Sequence, residues 1–120
     1  MDFDAFVQSL KNAPQTGLVM QNPGAGTSTI LYCNDQRICY KRGKSPMAVK
    51  YSDLYEGYIQ YAGKEMSTND LKAMRPAVFD SKHNGHSCHC TFLMMVLHRM
   101  GLASAIQGKG VKGNPFLVKL

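Results

Sequence analysis

The last third of the chain lacks negative charge: from Lys82 to Leu120 there is no Asp or Glu, while five basic residues occur there. That absence excludes a local carboxylate cluster for metal or acid–base chemistry and leaves a segment open to anions. In the whole chain the 8 acidic residues are scattered from Asp2 to Asp80, so an acidic nuclease triad is hard to assemble. Also missing are an apolar run of about 18 residues and a basic-then-apolar leader, since Met1-Asp2-Phe3-Asp4 opens acidic; neither a membrane span nor a secretory signal is indicated. The expectation is a soluble cytoplasmic protein with no membrane partner. Cysteine is sparse, and Cys33, Cys39, Cys88 and Cys90 are expected as thiols or ligands in a reducing compartment. Cys88 and Cys90 are also too close in sequence to bridge comfortably.

What is present is positive charge. Of the 14 Lys and Arg residues, 13 lie in residues 31–120, against 6 of the 8 acids. Arg37, Lys41, Arg42, Lys44 and Lys50 follow one another with no acid between them. Basic surfaces attract polyanions and speed encounter with them, and Lys and Arg contacts to phosphate supply most non-specific nucleic-acid affinity. With 120 residues and 44% hydrophobic side chains, the expectation is a single domain over 1–120: an N-terminal amphipathic helix in 1–12, a connecting loop over 13–27 and a core over 28–120.

Phe3, Phe6, Val7 and Leu10 form one face of a helix from Asp2 to Asn12, a helix that could cap the domain or pack on a partner. Pro14, Gly17, Pro23, Gly24 and Gly26 then leave room for only a brief extended piece near Leu18–Gln21. Thr29–Asn34 and Arg37–Lys41 read as a β-hairpin, and Met47–Tyr51 as a third strand after a turn over Arg42–Pro46. Ser52 is a candidate N-cap for a helix ending near Gly63, with Leu54, Tyr58 and Ala62 on one side. Ser67 opens the next helix with Asp70 as a near capping box; Leu71, Met74 and Val78 line its buried side, and Pro76 ends or kinks it close to Arg75. Asp80–Gly85 is a loop. The last helix begins within Ser87–Thr91 and stops at Gly101; Leu93, Val96, Leu97 and Met100 are its core stripe, widened by Phe92, Met94 and Met95. A strand around Ala103–Gln107, a Gly/Lys loop Gly108–Asn114 and a closing strand Phe116–Leu120 complete the chain.

Several motifs carry chemical potential. His83, His86, Cys88, His89 and Cys90 place five soft ligands within eight residues, but the spacing is compressed and lacks the second half of a zinc site. Cys33 or Cys39 completes such a site if the hairpin packs there. A Cys nucleophile with a His base is the other chemical reading of this cluster; buried thiols and loop histidines are the simpler one. No metal and no cofactor are assigned. Gly108-Lys109-Gly110-Val111-Lys112-Gly113 matches G-x-G-x-x-G, but a dinucleotide fingerprint follows a strand and opens a helix, and this one precedes Asn114-Pro115 and a strand. The glycines instead suit a hairpin loop that brings backbone amides and two lysines near phosphates. Tyr51, Tyr55, Tyr58 and Tyr61 fit either base stacking or, more simply, a core face.

The fold class expected is α+β: a small antiparallel β-sheet with three to four helices and a C-terminal β-hairpin. A helix followed by a basic-tipped hairpin resembles the last helix and wing of a winged helix-turn-helix domain, in which the helix enters the major groove and the loop flanks it. The resemblance is architectural and covers the C-terminal half. It implies a non-catalytic protein whose partner is nucleic acid, with DNA favoured. Lys109 and Lys112 would contact phosphates from the wing, Ser87, Thr91, Lys82 and His86 would approach the groove, and Arg42 and Lys44 would extend the footprint. Two other classes compete: a protein-interaction or homo-oligomerisation module built on the Met/Phe-rich helix or the N-terminal helix, and a metal-supported or thiol enzyme built on His83–Cys90.

Overall fold

A computed structural model describes residues 1–13 and 16–120. Pro14 and Gln15, part of the expected connecting loop, lie outside the described residues. The chain is α+β. Helix α1 (Phe3–Asn12) leads to a four-stranded antiparallel sheet of β1 (Val19–Gln21), β2 (Thr27–Cys33), β3 (Arg37–Arg42) and β4 (Ser45–Lys50), in that spatial order. There follow α2 (Tyr51–Tyr61), β5 (Glu65–Ser67), α3 (Thr68–Met74), the single turn α4 (Pro76–Phe79), a 3₁₀ turn (Ser81–His83), α5 (Cys88–Arg99) and β6 (Leu117–Lys119). β5 and β6 pair as a second antiparallel sheet.

Local chemistry explains most of these boundaries. The Asp2 carboxylate accepts the Ala5 N–H at 2.8 Å and caps α1, whose Phe6 and Leu10 are wholly buried. The Asn34 side chain accepts the N–H groups of Gln36 and Arg37, closing the β2–β3 turn. Ser67 and Asp70 form the reciprocal capping box expected of them, and Pro76 takes the first position of α4, where its missing N–H costs nothing.

Two expected boundaries move. The third strand begins at Ser45, so the five-residue turn over Arg42–Pro46 shrinks to Gly43 and Lys44, and Pro46 sits within β4 opposite Lys41. β4 is an edge of the sheet, where a residue without an N–H is tolerated. Helix α2 begins at Tyr51 with Lys50 as its cap residue, ahead of Ser52, because the Tyr51 N–H is held by the Gln36 carbonyl and its hydroxyl by the Asn34 carbonyl. At the C-terminus the strand around Ala103–Gln107 is irregular. It meets β6 through Ser104 N–H to the Lys119 carbonyl and through reciprocal bonds between Gln107 and Leu117. β6 therefore lies between this segment and β5.

α5 is the centre of the core. Every residue from His89 to Leu97 is buried, and each fully buried Phe, Leu, Met or Val contributes roughly 1.5–3 kcal/mol. Tyr40 of β3 stacks flat on Phe92, with ring centroids 3.8 Å apart and planes 4° from parallel. α1 docks on α2, Phe6 against Tyr55 and Tyr58. The tyrosines are thus packing residues: Tyr51 is buried, Tyr55 donates to the Met1 carbonyl and Tyr61 to the Asp70 carbonyl. The Met/Phe-rich helix is buried within the chain, and α1 buries Phe6 and Leu10 of its apolar face while Phe3 stays exposed.

The loop into α5 is tightly built. A Cβ added to Gly85 would lie 2.7 Å from the Pro76 carbonyl oxygen and 2.8 Å from the Asp80 nitrogen, both backbone atoms that cannot swing aside. Gly85→Ala is expected to destabilise the protein by about 1–3 kcal/mol, read as a lowered urea midpoint with an unchanged m value; an unaltered midpoint would contradict this packing.

Candidate functional site

The expected nucleic-acid residues separate into three groups. The first converges. The end of β3, the N-terminal end of α3, the first turn of α5 and the Gly/Lys loop enclose a cleft of about 220 Å³, lined by Arg42, Thr68, Lys72, Ser87, Thr91 and Gly110 together with Cys88 and Phe116. A second cleft of about 320 Å³ adjoins it, sharing Thr68, Lys72 and Gly110 and adding Asn69 and Lys112. No carboxylate lines either cleft. Three cations from three separate segments, Arg42, Lys72 and Lys112, therefore face a surface otherwise made of hydroxyl, amide and apolar groups.

The second group is near but outside the clefts. Lys44 lies in the β3–β4 turn and Lys109 in the wing, both exposed, and neither lines the clefts. The third lies apart. Lys82 belongs to the 3₁₀ turn, where its N–H donates to the capping Asp80 carboxylate. His86 lines another cavity, of about 230 Å³, with Arg37, Lys50, Asp53 and His89.

The Gly/Lys loop is shaped by its glycines. Gly108 and Gly110 have φ of 92° and 70°, and a Cβ on either would collide with the Pro115 carbonyl or the Phe116 ring. Val111 and Asn114 close the tip, placing Lys112 and Gly113 at the turn. Ser87 does not cap α5: its hydroxyl oxygen accepts from both the Ser81 N–H and the Ser81 hydroxyl, leaving its own O–H as a donor. Thr91 donates to the Cys88 carbonyl at 3.4 Å.

Lys72 is the cleft residue that sequence reasoning missed. It follows the buried Leu71 and so sits off the apolar stripe of α3, but nothing in the linear pattern ties it to Arg42 or Lys112. Thr68 and Asn69 were likewise invisible.

No family model, curated protein or solved structure matches this chain.

The Cys/His cluster is dispersed. His83 Nδ1 pairs with Asp80 at 3.0 Å. Cys90 is buried and donates to the Phe79 carbonyl, and burial pushes its thiol up to about 12. Cys33 and Cys39 stay on the sheet beside Tyr51 and Tyr32. Among the described residues no group of three or more His, Cys, Asp or Glu side chains is arranged to hold a metal ion. Cys88 and His89 do not meet as a nucleophile and base. Between them stands the Tyr40 hydroxyl, 2.7 Å from His89 Nδ1 and 3.4 Å from Cys88 Sγ. Burial holds Tyr40 well above the usual phenol range and, with the charge of His86 as a lesser cause, lowers His89 to about 4. His89 is therefore a neutral, structural imidazole at neutral pH.

A buried His with a depressed pKa makes stability depend on pH. Below its ordinary value of 6.5 the unfolded chain takes up a proton that the folded chain refuses until about 4. Stability is thus expected to fall as pH drops from about 6.5 to about 4, by on the order of 3 kcal/mol, and His89→Gln should flatten that slope in urea unfolding. Tyr40→Phe leaves Nδ1 without its partner and is expected to cost about 1–3 kcal/mol at pH 7. Equal slopes, or a neutral Tyr40→Phe, would contradict the buried pair.

Proposed function

We propose that this protein is a non-catalytic nucleic-acid-binding protein that takes duplex DNA in the acid-free clefts between β3, α3, the first turn of α5 and the wing. The observation that carries the reading is the convergence of Arg42, Lys72 and Lys112, from elements far apart in sequence, on a surface lined by no carboxylate. Ser87 offers a hydroxyl donor beside them. Cations and neutral donors in one concave strip suit a sugar-phosphate chain.

The order of elements also supports the winged-helix likeness. α2, β5, α3 and α5 are followed by a wing that closes on β6, with β6 paired to β5. The likeness carries a correction to the docking mode. The sheet covers α5, and its residues from His89 to Leu97 are buried, so the helix cannot lie in a groove along its length. Its first turn is what remains at the cleft. Contacts limited to that turn, the wing and Arg42 position a backbone and read few bases, so binding should depend on charge more than on sequence.

The test is duplex affinity as a function of salt. Arg42→Gln, Lys72→Gln and Lys112→Gln are each expected to weaken binding similarly on unrelated sequences and to reduce the slope of log affinity against log salt by about one. Lys82→Gln, outside the clefts, should leave both unchanged. Absent duplex binding at low salt, or cleft variants that bind as well as the native chain, would overturn the reading.

A further inference from the structure

The cavity lined by His86 has a charge pattern that the fold does not use. Arg37 and Lys50 stand directly opposite each other in the β3–β4 register, an arrangement in which like charges repel. Neither takes part in an ion pair among the described residues, where the pairs join Arg75 to Asp53 and Glu56, and His83 to Asp80. Asp53 is the single carboxylate lining the cavity. It faces Arg75 at 3.9 Å, and burial raises its pKa against the opposing charges of Arg75 and Lys50. The remaining polar groups are the two imidazoles, His86 and His89, with ring centroids 5.4 Å apart. The Tyr40 hydroxyl lies 2.7 Å from His89 Nδ1 and ties that ring to β3.

We propose that this cavity is a binding site for a phosphate group, held by the Arg37 guanidinium and the Lys50 ammonium beside the imidazoles of His86 and His89. A phosphate relieves the repulsion between the opposed cations, and an Arg fork with a neighbouring Lys is the side-chain chemistry that recognises it. About 230 Å³ admits a phosphate with ordered water or a small substituent. The site is distinct from the DNA clefts: the two share no lining residue, and they are joined through Tyr40, whose hydroxyl touches Cys88 on one side and His89 on the other. The phosphate has two sources, a free or small-molecule phosphate and a phosphate of the bound strand.

Titration of the full chain with inorganic phosphate at constant ionic strength, with chloride as comparator and NMR detection, tests the site. Saturable shifts of the His86 and His89 imidazole signals are expected with phosphate alone. In the Arg37→Gln/Lys50→Gln variant affinity should fall at least about tenfold, while Arg42→Gln/Lys72→Gln should bind phosphate as the native chain does. Arg37 and Lys50 are exposed, so the variant is expected to fold, which its urea midpoint checks. Shifts that fail to saturate, that chloride reproduces, or that survive in the Arg37→Gln/Lys50→Gln variant overturn the proposal. Given a phosphate site, loss of duplex affinity in that variant assigns the phosphate to the strand, and unchanged duplex affinity assigns it to a free or small-molecule phosphate. Failure of the DNA reading would appear separately, in the cleft variants.

Discussion

The stack of Tyr40 on Phe92 joins the four-stranded sheet to the helical half of the molecule, and the arrangement of charged groups depends on it. The two rings lie 3.8 Å apart and nearly parallel, and the phenol hydroxyl is held by His89 in the first turn of the same helix. An aromatic contact alone would allow the sheet to slide over α5. A buried hydroxyl that must keep its partner fixes the register as well, because losing that hydrogen bond in a low-dielectric interior is costly. Tyr40 is thus both a packing surface and a locating pin.

From that pin the cation geometry follows. β3 crosses α5 with Arg42 at one end and Arg37 at the other, so a single strand delivers one cation to the cleft beside the wing and another to the cavity beside His86. The Gly/Lys loop is held against the same region by Gly110 lying over the Phe116 ring, and α3 brings Lys72 from its last turn. Acids are present nearby but engaged: Asp70 caps α3, Asp80 accepts from Lys82 and His83, and Asp53 and Glu56 face Arg75. The result is a pair of clefts beside the Gly/Lys loop that no carboxylate lines, while Asp53 lines the cavity beside His86.

Much of the scaffold was legible in the sequence because it is set by local rules. The Ser67–Asp70 capping box, the Pro76 break, the apolar run Phe92–Leu97 and the glycine-shaped wing each declare themselves within a few residues. Boundaries that depended on tertiary bonds were not legible: Tyr51 rather than Ser52 opens α2 because carbonyls of the β2–β3 turn hold it, and Pro46 enters β4 because that strand is an edge. The lining of the clefts was half legible. Arg42, Ser87, Thr91 and Lys112 stood out by charge and by their place beside the last helix and wing. Lys72 did not, since convergence from α3 is a property of packing; His86 lines the separate cavity and Lys82 lines neither cleft. The breadth of the apolar stripe on α5 signalled its burial, and the sheet that covers it explains why it is so apolar.

In the proposed function, the clefts flanked by Arg42, Lys72 and Lys112 form the face that meets a polyanion. The most direct measurement is a map of backbone amide shifts on adding a short DNA duplex at low salt. The perturbed residues are expected to form one patch comprising the end of β3, α3 from Thr68 to Lys72, Ser87–Thr91 and the tip of the Gly/Lys loop. Perturbations centred on α1, on β1 or on the α5 C-terminus, or no perturbation at all, would contradict it.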